Sequence, residues 1–380
     1  MEARTLKAGG FEVSVICPKG QYPRYFETIE DIHIYRYPLP SLNGVLGHAL
    51  EYFLALFFTF ILSWIVLIRD GFDAIQSANP PDLFFVIAVC FKWGGKKFVF
   101  DHHDLVPETC LTRWRGRTLQ LMYHFSLWVE KKTFHTADRV ISTNESYRRI
   151  AIQRGRMRPE HVYVVRSGPS LSKFLPIPPN PTMRNGCRFL VSYLGVMGPN
   201  DGIEILLQSI RHIVRQLGRT DIRFILIGAG DEYQTLVDLS RELALENQVH
   251  FTGRIPDQEV IEIICSSDVC VAPDPKDPLN DLSTMNKIIE YMALGKPIVA
   301  FDLQEARVSA DKAAYYAAAN NPVDFAEKIL LLLEEPEKRQ SMGAFGRQRF
   351  LERLAWEHQS RQLLALYEEL LMGPQINESV

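Results

Sequence analysis

The segment DLSTMNKIIEYMALGKPIVAFD, residues 281–302, places Asn286, Lys287 and Glu290 at i, i+1 and i+4 of a predicted helix. That spacing gathers them on one face, while Ile288, Ile289 and Met292 turn the other way. A charged, hydrogen-bonding face at a helix start is a place to hold a sugar nucleotide. Ser283 or Thr284 is expected to cap the helix, leaving its first-turn N–H groups as an anion site. Lys287 would add a mobile positive charge, and Glu290 can accept hydrogen bonds from two ribose hydroxyls. The plain alternative is a solvated Lys–Glu pair at i, i+3, worth about 0.3 kcal/mol.

A second group lies in FDHHDLVPE, residues 100–108, directly after an apolar strand and so at the ligand edge of a sheet. His102, His103 and Asp104 crowd titratable groups there. Adjacent side chains of one loop rarely share a metal ion, so a histidine that orients a substrate hydroxyl fits better. The alternative is a structural histidine capping the next helix. In YLGVMGPNDG, residues 193–202, Gly195, Gly198 and Gly202 relax a strand-to-helix loop and let backbone N–H groups approach a diphosphate. Asp201 reads as the N-cap of the helix from Gly202, opposing phosphate contact unless its side chain turns inward to the amides. LIGAGDE, residues 226–232, is another glycine-bearing strand end, with Gly228 as either a ligand contact or a tight turn. Arg254 in FTGR reaches a base or phosphate, or is a surface arginine.

The elements that must carry these residues alternate. In the first half FEVSVIC, IHIYRYP, FDAIQS, KKFVFD, RVISTN and VYVVRS read as strands, separated by helices near 43–69, 81–92, 117–136 and 144–154. In the second half CRFLVSYLG, DIRFILIG, VHFTG, DVCVAP and PIVAFD read as strands between helices that include 257–266 and 322–334. Alternation of this kind implies parallel sheets covered by helices on both faces. PIPPNPTMRNG, residues 176–186, reads as the linker, giving domains over 1–178 and 184–350. The amphipathic helix of 356–372 is a brace that can pack back on the first domain. Two doubly wound domains would then face a cleft lined by strand-end loops.

With 380 residues, 47% of them hydrophobic, the chain can bury two cores. A net charge of −3 gives no case for nucleic acid as a partner. The six cysteines are scattered without a CxxC, which argues against zinc or a disulfide framework and points to a reducing cytoplasmic setting. The opening MEARTLKAGG lacks the apolar core of a signal peptide. YFLALFFTFILSWIVLI, residues 52–68, is uncharged and at the lower edge of spanning length. Of spanning, interfacial and core-only readings, a domain helix whose outer face touches the membrane is favoured, because α/β segments flank it on both sides.

Together NKIIEYMALGKPIVA (286–300), FVFDHHDL (98–105), YLGVMGPNDG and LIGAGDE, in this order, resemble the retaining glycosyltransferases of the GT-B fold, family four (glycosyl transferases group 1), over nearly the whole chain. The resemblance implies two Rossmann-like domains and metal-independent transfer of a sugar from a nucleotide-sugar with the anomeric configuration kept. It implies that Glu290 holds the ribose, that Ser283, Thr284, Asn286, Lys287 and the Gly195–Gly198 loop face the diphosphate, and that His103 lies near the transferred sugar. His102 and Asp104 fall on the acceptor side. It implies no cofactor, and a lipid-linked or glycan acceptor reached by peripheral contact on the inner face of the cytoplasmic membrane.

Three departures stand out. Eight residues before Glu290, where the family has a second glutamate, stands Leu282, with Asp281 beside it as a substitute carboxylate for the donor sugar. Where many members carry an arginine and a lysine stand Val196 and Asp201. The family's opening strand and glycine loop precede the helix that MEARTLKAGG would finish, so the first domain is expected to lack its first strand. The alternative function is therefore a catalytically impaired sugar-nucleotide-binding partner subunit or truncated family member. An epimerase or hydrolase of the same fold needs no helix like 52–68, and a nicotinamide dehydrogenase needs a GxGxxG absent here.

Overall fold

The apolar runs sort into two units, Met1–Val165 with the segment from Gln359, and Arg166–His358. The computed structural model describes residues 1–40, 42, 44–113 and 116–372. The division falls at Val165 and Arg166, not within the Pro-rich stretch 176–186. That stretch is bound into the second unit: Asn180 N donates to Ser266 Oγ at 2.8 Å and Asn180 Nδ2 to Glu262 Oε1 at 2.7 Å. Its prolines stop a helix, and its neighbouring polar groups find partners within the second unit.

In the first unit, β1 (Ser14–Pro18), β2 (Phe26–Ile29) and β3 (Ile32–Tyr37) form one sheet of order β1-β3-β2, with β1 parallel and β2 antiparallel to β3. A second sheet, all parallel, joins β4 (Ala74–Ala78), β5 (Lys97–His102), β6 (Arg139–Ser142) and β7 (Val162–Val164) in sequence order. The helices are α1 (Glu2–Ala8), α2 (Gly44–Arg69), α3 (Phe85–Lys92), α4 (Val106–Arg113), α5 (Gly116–Thr136) and α6 (Glu145–Gln153). Asn144 starts α6 by accepting from Tyr147 N, the short polar side chain that a helix start favours.

The second unit has a six-stranded parallel sheet of β8 (Phe189–Leu194), β9 (Ile222–Ile227), β10 (Val249–Gly253), β11 (Val269–Ala272), β12 (Ile298–Phe301) and β13 (Ala314–Ala317). Its order is β10-β9-β8-β11-β12-β13. β11 and β12 are buried along their whole length, because helices cover both faces of a parallel sheet. Those helices are α7 (Ile203–Arg211), α8 (Tyr233–Glu242), α9 (Asp257–Ser266), α10 (Asn286–Ala293), α11 (Gln304–Ala310), α12 (Pro322–Glu334) and α13 (Pro336–Arg349). The chain runs outward from β8 in one direction and from β11 in the other, so a topological switch point lies between them. The last helix, α14 (Trp356–Met372), enters the first unit from Gln359. There Tyr367 OH donates to Gln76 Oε1 at 2.6 Å and the Tyr367 ring lies 5.8 Å from Phe11.

α2 packs one side on β1 and β3. Phe58 stacks on Tyr37 at 6.0 Å, and Trp64 lies 4.9 Å from Phe91 of α3. Its other side is bare: Phe53 is 62% exposed and Ile68 80%. Among the described residues it is the one helix long and apolar enough to cross a membrane, with a mean hydropathy of 2.1 over Ala49–Arg69.

Candidate functional site

The loops after β8 and β11 and the start of α10 meet at the switch point of the second unit. They approach so closely that side chains would not fit. A Cβ on Gly228, whose φ is +140°, would lie 1.8 Å from Gly195 O, and one on Gly202 would lie 2.0 Å from Pro273 O. The glycines therefore serve first to let backbone pass backbone. Buried Tyr291 of α10 ties the group together, accepting from Leu194 N at 2.7 Å and donating to Val271 O at 3.1 Å.

Lys287 is not a mobile charge. It is buried, with Nζ 2.6 Å from Asp274 Oδ1, 3.4 Å from Tyr193 OH and 3.6 Å from Asp201 Oδ1. Asp274 is only 2% exposed, and its Oδ2 has no hydrogen-bond partner. Asp201 does not cap α7. The cap is Gly202 itself in the left-handed region, while the Asp201 carboxylate turns inward to Gly198 N at 3.1 Å. Burial raises the pKa of Asp201, Lys287 opposes that, and the charge of Asp274 adds to it. Two carboxylates thus surround one ammonium.

Glu290 stands one turn further along α10, half-buried, and its carboxylate accepts no hydrogen bond among the described residues. Burial pushes its pKa up to about 7 against the pull of Lys173 and Lys287. Asn286 is exposed at the helix start. The expected cap is absent: Met285 occupies the N-cap position with no side-chain hydrogen bond. Ser283 Oγ instead donates to Leu279 O at 2.8 Å, and Thr284 Oγ1 lies 3.5 Å from the buried guanidinium of Arg166. The α10 N-terminus therefore presents its amides without a capping oxygen, which suits an anion better than the expected cap would. Asp281 faces α11: Gln304 N donates to its Oδ1 at 2.8 Å and Lys276 Nζ lies 3.5 Å away. Arg254 is exposed beyond β10, with no ion pair among the described residues.

In the first unit the adjacent histidines separate, as strand alternation requires. His102 is fully buried between Phe134 and Tyr147, at ring distances of 5.1 and 5.2 Å. Burial, with the charge of Arg154, lowers its pKa to about 3, so it is a neutral core residue and not an acceptor contact. His103 turns to the other side, where Nε2 lies 3.2 Å from Asp101 Oδ2 and 4.0 Å from Glu2 Oε1. Burial lowers the His103 pKa, but the hydrogen bond and charge of Asp101 outweigh it and hold the value above the ordinary one. Gln76 Nε2 bridges Glu2 and Asp101 at 2.6 and 3.0 Å. Glu2, Asp101 and His103 are the one group among the described residues with metal-ligand spacing. Desolvation and the charge of Asp101 raise the Glu2 pKa to about 7. Asp104 lies in the loop, its Oδ1 3.4 Å from Thr109 Oγ1 near the start of α4.

Four positioning residues carry no motif. Asn79 beyond β4 accepts from the backbone N of His103 and Asp104 at 2.8 and 2.9 Å, fixing that loop. Asp274 sits in the acidic loop APDPKDP, where spacing does not single it out. Lys173, ion-paired with Asp257 at 2.8 Å, adds its positive charge to the surroundings of Glu290 from far along the chain, and Arg166 comes to Thr284. Only the fold reveals these pairings.

The family model described as Glycosyltransferase Family 4 matches residues 2–173, and that described as Glycosyl transferases group 1 matches 188–335. The chain is 26% identical over 298 residues to the alpha-maltose-1-phosphate synthase of Mycolicibacterium smegmatis, spanning 73% of this chain and 74% of that protein. It is 24% identical over 229 residues to the D-inositol 3-phosphate glycosyltransferase of Corynebacterium urealyticum, spanning 56% of this chain and 52% of that one. Among solved structures, sucrose-phosphate synthase from Thermosynechococcus elongatus matches with a TM-score of 0.81 at 19% identity, over 98% of this chain and 92% of its own. HepE of Anabaena in complex with UDP-glucose matches with a TM-score of 0.64 at 18% identity, over 89% and 86%. These two show likeness of fold.

Proposed function

The chain belongs to the group 1 glycosyltransferases of family four, with the GT-B fold of two Rossmann-like domains, and on that premise we propose that it moves a sugar from a nucleotide-diphospho-sugar to a lipid-linked or glycan acceptor, with retention of configuration and without a metal. The observation that carries the donor reading is Glu290, a half-buried carboxylate with no hydrogen bond among the described residues, on a helix whose N-terminus lacks a side-chain cap. Ribose hydroxyls would donate to it, and the diphosphate would lie against the α10 amides and the Gly195–Gly198 loop. Developing charge on the leaving diphosphate would fall to those amides and Lys287. His103, held by Asp101, would orient a hydroxyl of the transferred sugar. The solved relative bound to UDP-glucose supports a donor of the same class.

The test is thermal stability with UDP-, GDP- and ADP-linked sugars, with and without EDTA. A rise with one nucleotide that EDTA leaves unchanged is expected, about 2.7 kcal/mol at a hundredfold excess over Kd. No rise from folded protein overturns the donor reading. A second reading, binding without transfer, is favoured by Leu282 in the glutamate position and by Asp201 beside Lys287. Release of nucleoside diphosphate from the matched donor in the presence of membrane lipid extract decides against it.

On the acceptor side we propose that the bare face of α2 rests in the membrane interface of the cytoplasmic leaflet. Support comes from its run of exposed Phe53, Phe57, Phe60 and Ile68 opposite a packed side. Wild-type protein is expected to sediment with phosphatidylcholine vesicles, and F57S/I68S to stay in the supernatant. Equal sedimentation of the two would remove α2 from the acceptor path.

A further inference from the structure

The last turns of α5 and the chain between α6 and β7 enclose a cavity of about 610 Å³ in the first unit. It lies where β6 and β7 begin, at the edge of the sheet opposite the Asp101–His103 group at the end of β5. Lys131, Lys132, Arg156 and Arg158 line it, joined by the imidazoles of His135 and His161. The four cationic side chains belong to exposed residues, and none forms an ion pair among the described residues. The nearby carboxylates do not balance them. Asp138 is bound to Lys92 Nζ at 2.9 Å and Phe98 N at 2.8 Å, which leaves Glu160 beside His161.

Like charges converging on one concavity repel each other and raise the local potential. Arg156, on the cavity wall, also holds φ at 56°, a conformation that costs an arginine more than a glycine. Most of the exposed wall is apolar. Trp128 lines it, and Leu121, Phe125 and Trp128 follow at i, i+4 and i+7 along α5, 66%, 48% and 52% exposed. Phe125 stacks on Trp128 at 6.1 Å, and Lys132 Nζ lies 6.0 Å from the Trp128 ring.

We propose that this cavity binds a phosphate-bearing anion, a phosphomonoester or diphosphate group, at a site separate from the donor site. Guanidinium forks and ammonium groups suit phosphate oxygens, which can accept from several donors at once. The apolar stripe offers a bed for whatever the phosphate is attached to, so a lipid headgroup and a soluble phosphate share this chemistry. The proposal does not rest on the donor reading, because no residue is common to the two sites.

Calorimetric titration with inorganic diphosphate at low salt tests it, comparing wild type with K131E/R156E. Binding is expected to weaken about tenfold or more in the variant, and to weaken in the wild type as salt is added. The substituted residues are exposed; should that variant fail to fold, K132Q/R158Q answers the same question. Sedimentation with phosphatidylcholine vesicles, with and without phosphatidic acid, separates the sources. Loss of the phosphatidic-acid increment in the variant supports a lipid-borne phosphate, and an unchanged increment alongside weakened diphosphate binding supports a soluble one. Equal diphosphate binding by wild type and variant overturns the site.

Discussion

Replacing Lys287 with alanine is expected to cost about 3–5 kcal/mol of folding stability as well as turnover, because it leaves Asp274 buried beside no counter-charge. A mobile Lys287, as expected from the sequence, would instead be lost without harm to the fold. The two effects can be separated. In D274N/K287M both charges go, and near-neutral replacement should keep the melting temperature close to that of the wild type. Transfer should still fall about 10²–10³-fold, since the ammonium near the leaving diphosphate is gone. Wild-type transfer by the stable double variant would sink the assignment of Lys287. The companion change Asp201→Asn removes the outer carboxylate 3.6 Å from Lys287 and should tighten donor binding roughly 3- to 10-fold, read as KM.

Glu290→Gln should behave differently, losing donor affinity while keeping or gaining stability. Hydrogen bonds to a charged acceptor are each worth about 1.5–3 kcal/mol, so binding should weaken roughly 10- to 100-fold. The pH dependence follows from the raised pKa. In the free protein burial raises the Glu290 pKa to about 7, from an ordinary value of 4.5. Its contribution to stability is fully present below about 4.5 and is lost as the pH rises through about 7. Glutamine does not ionise, so melting curves of wild type and E290Q should agree near pH 4.5 and favour the variant at pH 8. Donor binding runs the other way. Ribose hydroxyls favour the carboxylate, so wild-type affinity should fall as the pH drops below 7 and the variant's should stay flat. A wild-type pH profile as flat as the variant's would remove Glu290 from the ribose.

Much of the scaffold was legible because a parallel strand buried on both faces has to be a short apolar run. FLVSYL and IRFILI became β8 and β9, and the register of α10 followed from its apolar positions. β2, with mostly exposed residues, and α4, next to the His-rich loop, lacked such a signature. The site was legible in its residues but not in their partners. Glu290 and the glycine loops could be named from spacing. That Lys287 is held by Asp274 depends on two strand ends meeting, which no local pattern encodes. The cap was misjudged for a related reason: Ser283 has a competing acceptor in Leu279 O, and hydroxyls often bond back to their own turn. His102 could have been recognised. Period-two alternation already places it on the side away from Asp101 and His103.

The contribution of α14 to the first unit bears on the order in which the protein is made. Residues 166–358 leave the ribosome as one uninterrupted stretch and can collapse at once. The first unit, begun earlier, must wait for Tyr367 to reach Gln76 and Phe11. At about 5–20 residues per second that delay is on the order of ten seconds or more. Throughout it the side of the nascent amino-terminal half around Phe11 and Gln76 stays uncovered, open to whatever binds such surfaces in the cell.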